Sequence, residues 1–246
     1  MTTRIVFHEE LDKLNGEVNG MAQAAKEAIE MAVRSIAVHE IQLVENVERL
    51  DREIYEYDQL IERHCLDLIA LHTPVAGDLR TISTCLKIIT DLNRIGRYAR
   101  DIAEISSDLK EKNGFGRMVN ISHMGELVIR MVDDSINSFI NRDAEAARSL
   151  YERDDVIDAL YNSIFREILT YMMEDPAKIT DGTNYVLAAR YLERIADHSC
   201  NIGERVVYMV TGERMDPRRR KQTGPKLDGA IPAPISGGSM HELEDK

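Results

Sequence analysis

Two pairs of carboxylates, each spaced by one helical turn, have the residue types and spacing that could do chemistry in this chain. Asp154 and Asp158 form one pair, and Glu193 and Asp197 form the other. Side chains four positions apart share a helix face, where like charges are destabilising by roughly 0.2–0.5 kcal/mol per pair. We therefore expect a partner outside these helices to compensate the acids.

The basic residues that surround the second pair are expected to point away from it. At about 100° per residue, Glu193 and Asp197 form a stripe beside the apolar face of their helix. Arg194, His198 and Arg205 fall on a separate arc. His198 is isolated among polar positions there, so the sequence predicts an ordinary surface histidine.

Four carboxylates converge if the two helices lie side by side. Such a cluster is costly where water is partly excluded, unless the charges are paired or bound to a metal. Hard oxygen ligands suit Fe, Mn, Mg or Ca. Two interpretations stay open: a metal site, or an acidic groove that faces water. The candidate metal ligands are Asp154, Asp158, Glu193 and Asp197.

Several classes of function are disfavoured by motif content and composition. No His follows a Glu by three positions, as di-iron helical bundles require, and the common phosphate-binding and hydrolase motifs are missing, so we expect no enzyme. A net charge of −12 argues against nucleic-acid binding. The chain has three cysteines and no C-x-x-C pair, which predicts a cytoplasmic protein. It has no run of 18 apolar residues, so we expect contact with membranes only through partners.

Apolar residues recur every three or four positions, which predicts an all-α protein. Thr73 and Pro74 are expected to start the third helix, Asn141 or Asp143 to cap the fifth and Gly212 to end the sixth. The six predicted helices cover residues 9–38, 42–71, 74–105, 118–140, 143–172 and 179–210.

Three landmarks of the first half return in the second half. The pattern Leu-x-Arg-Ile at residue 92 recurs at 192, Pro74 recurs as Pro176, and Asp-x-x-Ile at residue 51 recurs at 154. A repeat of about 100 residues predicts two tandem antiparallel three-helix bundles related by a pseudo-two-fold. We expect repeats at residues 5–107 and 118–212, a linker at 108–117 and a disordered tail at 213–246 with one basic run at 218–221.

The first repeat lacks most of the acids. Its positions that match the four carboxylates hold Asp51, Tyr55, Asn93 and Arg97. Arg97 can pair with Asp101, and Arg100 can pair with Glu104, each four positions on. This surface is expected to neutralise itself and to hold no metal cluster.

Several separated motifs stand out along the chain: residues 7–11 (FHEEL), 74–80 (PVAGDLR), 86–89 (LKII), 91–96 (DLNRIG), 154–158 (DDVID), 191–198 (YLERIADH) and 201–204 (NIGE). Together they resemble the PhoU family of accessory regulators of phosphate-specific transport. The resemblance covers residues 5–212, and the motifs occur in the family's order.

The resemblance implies a cytoplasmic, homodimeric negative regulator of phosphate uptake and phosphate-starvation signalling. Such an adaptor links the ATPase of a phosphate ABC transporter to a sensor histidine kinase. It also implies a multinuclear Fe or Zn cluster, with Mn or Mg as alternatives, in the second repeat only. Two other functions stay open: regulation of a different phosphate or anion permease, and a metal-dependent enzyme or metal store that uses the acidic groove.

Overall fold

The computed structural model describes residues 2–109 and 120–215, with side chains from residue 4. Within these ranges it contains six α-helices and a 3₁₀ turn, Pro176–Lys178, before the last helix. The helices are α1 (Thr2–Val38), α2 (Gln42–His72), α3 (Ala76–Asp108), α4 (Ile121–Ile140), α5 (Ala144–Glu174) and α6 (Ile179–Thr211). Most of the predicted linker and tail, including the basic run at 218–221, lies outside the described residues.

The predicted cap at the start of α5 and the predicted end of α6 are confirmed. The Asp143 carboxylate accepts hydrogen bonds from the backbone N–H groups two and three positions on, at the start of α5. Gly212 ends α6 with φ 77°, a left-handed conformation that glycine adopts without steric cost.

Two other predicted helix ends are wrong. Thr73 takes φ 43° and closes α2, and α3 begins at Ala76 without a side-chain cap. The chain must reverse direction within three residues here, so Thr73 is used for the turn. α1 begins at Thr2, not at residue 9, because Phe7 is a core residue whose ring lies 5.5 Å from that of His72.

The six helices form the two predicted antiparallel three-helix bundles, α1–α3 and α4–α6. α1 contacts α4 and α3 contacts α6, so one apolar core continues from one bundle into the other. Across residues 2–109 and 120–215, no helix has the length and the apolar content that a membrane span needs.

The α3–α6 contact displays the internal repeat directly. The two helices run antiparallel, with Asp91 against His198 and the Tyr98 ring stacked on Tyr191. The 100-residue offset of the sequence relates Asp91 to Tyr191 and Tyr98 to His198. The two contacts therefore exchange places under the pseudo-two-fold, whose axis passes between these helices.

Candidate metal site on α5 and α6

The antiparallel packing of α5 and α6 brings Asp158 close to the Glu193–Asp197 pair. The Tyr151 hydroxyl donates to Glu204 at 2.7 Å, and Arg190 lies over the Tyr161 ring at 5.6 Å. These two contacts set the register between the helices. Asp158 lies opposite the Glu193–Asp197 turn in this register, and Asp154 follows one turn away along α5.

The acids of this surface are unequally buried. Asp154 is 7% exposed and Glu193 is 9% exposed, whereas Asp158 and Asp197 are half-buried. Burial raises the pKa of Glu193 to about 7, and the negative charges of Asp197 and Asp158 contribute to the rise. Glu193, Asp197 and Asp158 thus form one electrostatic cluster, and Asp154 lies one helical turn before Asp158 on α5.

Two arginines of α6 pair with the acids, which corrects the expectation that the cations of this helix turn away. Arg190 Nη1 donates to Glu193 Oε1 at 2.7 Å, and Arg194 Nη1 donates to Asp197 Oδ2 at 3.1 Å. Residues three apart are neighbours on a helix, and a guanidinium on a long flexible stem reaches that neighbour. Part of the positive charge that compensates the acids therefore comes from α6 itself.

Arg190 is the partner of the acidic cluster that the sequence did not predict. Its signal was available, because Arg190 precedes Glu193 by three positions. A helical projection follows the Cα directions alone and leaves out the reach of a long side chain.

One oxygen of Glu193 lacks a hydrogen bond. Glu193 Oε2 is buried and has no hydrogen-bond partner in the described structure, and the cation beside it is Arg194, whose Nε lies 3.8 Å away. Carboxylate oxygens are the ligands that hard cations prefer, but a site needs several of them close together. As the side chains stand, no three His, Cys, Asp or Glu residues of the described ranges are grouped closely enough to hold a metal ion. The metal site therefore stays a prediction, and binding requires these side chains to rearrange.

The matching surface of the first repeat has a fixed arginine. Arg100 contacts Asp51 across the α2–α3 seam at 3.3 Å, Asp101 at 3.5 Å and Glu104 at 3.1 Å. The predicted pair of Arg100 and Glu104 is confirmed. Asp101 pairs with Arg100 and not with Arg97, because the Arg100 guanidinium already lies between the carboxylates.

His198 is not the surface residue that the sequence predicted. Its Nδ1 lies 2.7 Å from Asp91 Oδ1, its side chain is 14% exposed, and Asn201 Nδ2 donates to the same Asp91 oxygen at 3.3 Å. The polar arc of α6 packs against α3, so His198 belongs to the contact between the repeats. Its partner is 107 positions away and could not be identified from the helix alone.

Fold and site together define a class of protein: a two-repeat, six-helix chain with an acidic cluster on the last two helices. A family model, the PhoU domain, matches residues 18–106 and 121–206, once in each bundle. The chain belongs to the PhoU family, as its motifs predicted.

Two relatives match over nearly their whole length. The phosphate-specific transport system accessory protein PhoU homolog of Aquifex aeolicus is 39% identical over 216 residues, which is 88% of this chain and 98% of the relative. The homolog of Clostridium acetobutylicum is 34% identical over 215 residues, 87% of this chain and 98% of the relative.

A solved structure shares the fold. The crystal structure of PhoU from Pseudomonas aeruginosa is 32% identical and matches with a TM-score of 0.79. The match covers 84% of this chain and 100% of that chain.

Proposed function

We propose that this protein is an accessory regulator of phosphate transport that represses phosphate uptake and the phosphate-starvation response when phosphate is plentiful. The observation that carries the proposal is the PhoU-domain match in both bundles. Similarity to accessory proteins of phosphate-specific transport over more than four fifths of the chain supports it.

The proposed mechanism is transmission of phosphate status by protein contacts, without catalysis by this chain. As an adaptor, the protein contacts the ATPase of the phosphate ABC transporter and a sensor histidine kinase in the cytoplasm, and it acts as a homodimer. Regulation of this kind requires that the adaptor bind one state of its partner more tightly than another.

A bound cation is part of the proposal. Asp154, Asp158, Glu193 and Asp197 would hold Fe or Zn, as one ion or as a multinuclear cluster, with Mn or Mg as alternatives. A cation there neutralises the carboxylates and links α5 to α6. The burial of Asp154 and Glu193 favours this role, because electrostatic attraction strengthens where water is excluded.

Gene deletion tests the regulatory proposal. We expect a deletion strain to express phosphate-starvation genes and take up phosphate at high external phosphate, and the wild-type gene to restore repression. Unchanged expression and uptake in the deletion strain would refute the proposal.

A second candidate is regulation of a different phosphate or anion permease. The departure of the first repeat, with Asn93 and Arg97 where the second has Glu193 and Asp197, favours a changed partner surface. Identification of the ATPase that co-purifies with the protein separates the two candidates.

A further inference from the structure

The antiparallel seam between α3 and α6 is held in register by three contacts along its length. They pair Asp91 with His198, Tyr98 with Tyr191, and Arg80 Nε with the Met209 carbonyl oxygen, to which it donates at 3.4 Å. Each step forward along α3 is matched by an equal step backward along α6. The register therefore gives the residue that lies opposite any position of the seam.

This register places Thr84 opposite Arg205. Thr84 is seven positions before Asp91 on α3, and Arg205 is seven positions after His198 on α6. Seven residues are close to two whole helical turns, so each residue shares the seam-facing side of its helix with the contact it follows or precedes. The Arg80 contact lies beyond the pair, so Thr84 and Arg205 are bracketed by contacts on both sides.

Thr84 and Arg205 each carry a buried polar atom that has no partner. Thr84 is 2% exposed, and neither its Oγ1 nor Arg205 Nε forms a hydrogen bond within the described residues. A buried polar atom that stays unsatisfied destabilises the fold. Both groups can donate a proton, so a single acceptor between them would satisfy the two together.

Positive charge surrounds this position, and no carboxylate neutralises it. Arg80 lies one turn before Thr84 on α3, and Lys87 lies one turn after it. Within the part of the chain that the structure describes, neither of these cations nor Arg205 forms an ion pair. The next acid along the seam, Asp91, is already paired across it. These cations stay unpaired in a chain whose net charge is −12.

The opposite end of the seam packs without these charges. The 100-residue offset relates Arg80, Thr84, Lys87 and Arg205 to Thr180, Asn184, Leu187 and Ile105, respectively. None of these four counterparts is a cation, although the pseudo-two-fold gives them equivalent places in the fold. Packing of α3 on α6 therefore does not account for the three basic residues.

We propose that Arg80, Thr84, Lys87 and Arg205 form a binding site for a tetrahedral oxyanion, with inorganic phosphate as the ligand. A guanidinium presents its N–H groups in a fork that matches phosphate oxygens, and a hydroxyl and an ammonium donate further hydrogen bonds. A water molecule would satisfy the two buried atoms but would leave the positive charge uncompensated.

The site opens to solvent at the edge of the seam. Arg80 and Arg205 are half-buried and Lys87 is exposed, so an anion reaches the Thr84 hydroxyl past these side chains. A bound anion contacts both α3 and α6, and therefore both repeats. The inference goes beyond the proposed function, because it makes the chain itself a receptor for phosphate, and it depends on neither the metal site nor the partners.

The test is binding of inorganic phosphate to purified full-length protein, measured by isothermal titration calorimetry at constant ionic strength. Wild type should bind phosphate, sulfate should compete because it has the same shape, and chloride should not. Thr84→Val removes the hydroxyl with little change of shape, and Arg205→Met removes the charge. Each should weaken phosphate binding by about tenfold or more, because each removes a hydrogen bond to a charged group. Arg205→Gln is a second neutral variant in case Arg205→Met does not fold.

Arg97→Met is the matched control. Arg97 is also an arginine of α3, is exposed, and has no ion pair with a described residue. It lies about 20 Å along the helix from Thr84, at 1.5 Å per residue. Its loss lowers the net charge as much as Arg205→Met does, and phosphate affinity should stay within about twofold of wild type.

The melting temperature of the phosphate-free protein gives a second measurement. Thr84→Val should raise it, because the substitution removes a buried hydroxyl that has no partner. A lower melting temperature would show that the hydroxyl has a structural role in the seam and would count against the site.

The binding data decide between the site and its alternatives. Weaker phosphate binding in both site variants, with Arg97→Met unaffected, supports the site, and any other pattern among the variants overturns it. Absence of phosphate binding by wild type, or equal competition by chloride, also overturns the inference. The regulatory proposal survives these negative results, because repression through protein contacts does not require this chain to bind phosphate, and gene deletion tests it separately.

Discussion

Replacing Glu193 with glutamine should stabilise the metal-free protein at pH 8 and change little at pH 5. The pKa of Glu193 is raised from 4.5 to about 7, chiefly by burial. Between these values the folded state binds more protons than the unfolded state, so the free energy of unfolding falls as the pH rises. Glutamine has nearly the same shape and no charge, and therefore abolishes this fall.

The size of the effect follows from the same pKa difference. A pKa difference of one unit corresponds to about 1.36 kcal/mol. The rise in the pKa of Glu193, which is 9% exposed, therefore means that its ionisation lowers the free energy of unfolding by at most about 3 kcal/mol. Arg190 and Arg194 are more than a third exposed and can rearrange around the charge, so we expect about half of this, between about 1 and 2 kcal/mol. With a urea m-value of about 3 kcal/mol/M, the midpoint should rise by about 0.5 M at pH 8.

The assay is urea unfolding, followed by circular dichroism, of chelator-treated wild type and Glu193→Gln at pH 5 and pH 8. The difference between the two proteins isolates Glu193 from other groups that titrate in this range. Glu48→Gln, an exposed carboxylate on α2, serves as the control and should give a difference near zero at both values. Equal midpoint shifts for Glu193→Gln at pH 5 and pH 8 would refute the reasoning.

Three further predictions test the metal site and the packing. Purified protein should contain Fe, Zn or Mn at about half the stoichiometry of a relative with two sites, and Asp197→Asn should lose it; equal metal by elemental analysis would contradict this. Asp91→Asn should lower the free energy of unfolding by about 1–2 kcal/mol, because His198 loses a charged acceptor, and a urea-unfolding change below about 0.5 kcal/mol would disprove that role. Gly203→Ala should lower the melting temperature, because its Cβ would lie 2.9 Å from a backbone oxygen of α5. Gly16→Ala should raise the melting temperature, because its Cβ would meet nothing within 4 Å and alanine favours the helix. Shifts of the same sign in the two variants would contradict this.

The fold could be predicted because the evidence for it is local and repeated. Apolar spacing located six helices, and caps such as Asp143 and Gly212 depend on residues only a few positions away. The recurrence of Pro74 as Pro176 revealed the duplication. The start of α1 could not be predicted because the packing of Phe7 on α2 is a tertiary contact, which no local pattern reports.

The candidate site could be predicted only in part. The acids were identifiable from their spacing, and the structure brings Glu193, Asp197 and Asp158 within electrostatic range of one another. The pairing of Arg190 and Arg194 with the acids depends on side-chain reach, which a helical projection leaves out. The contact of His198 with Asp91 depends on how the two repeats pack, which no local pattern reports.

Co-purification from cells grown at high phosphate tests the central claim most directly. A tagged full-length protein, captured after mild cross-linking and analysed by mass spectrometry, should bring down the ATPase of the phosphate transporter and the sensor histidine kinase. The amount of both should fall when phosphate is withdrawn. Recovery of the ATPase of an unrelated permease, or of neither partner at either phosphate level, would contradict the account.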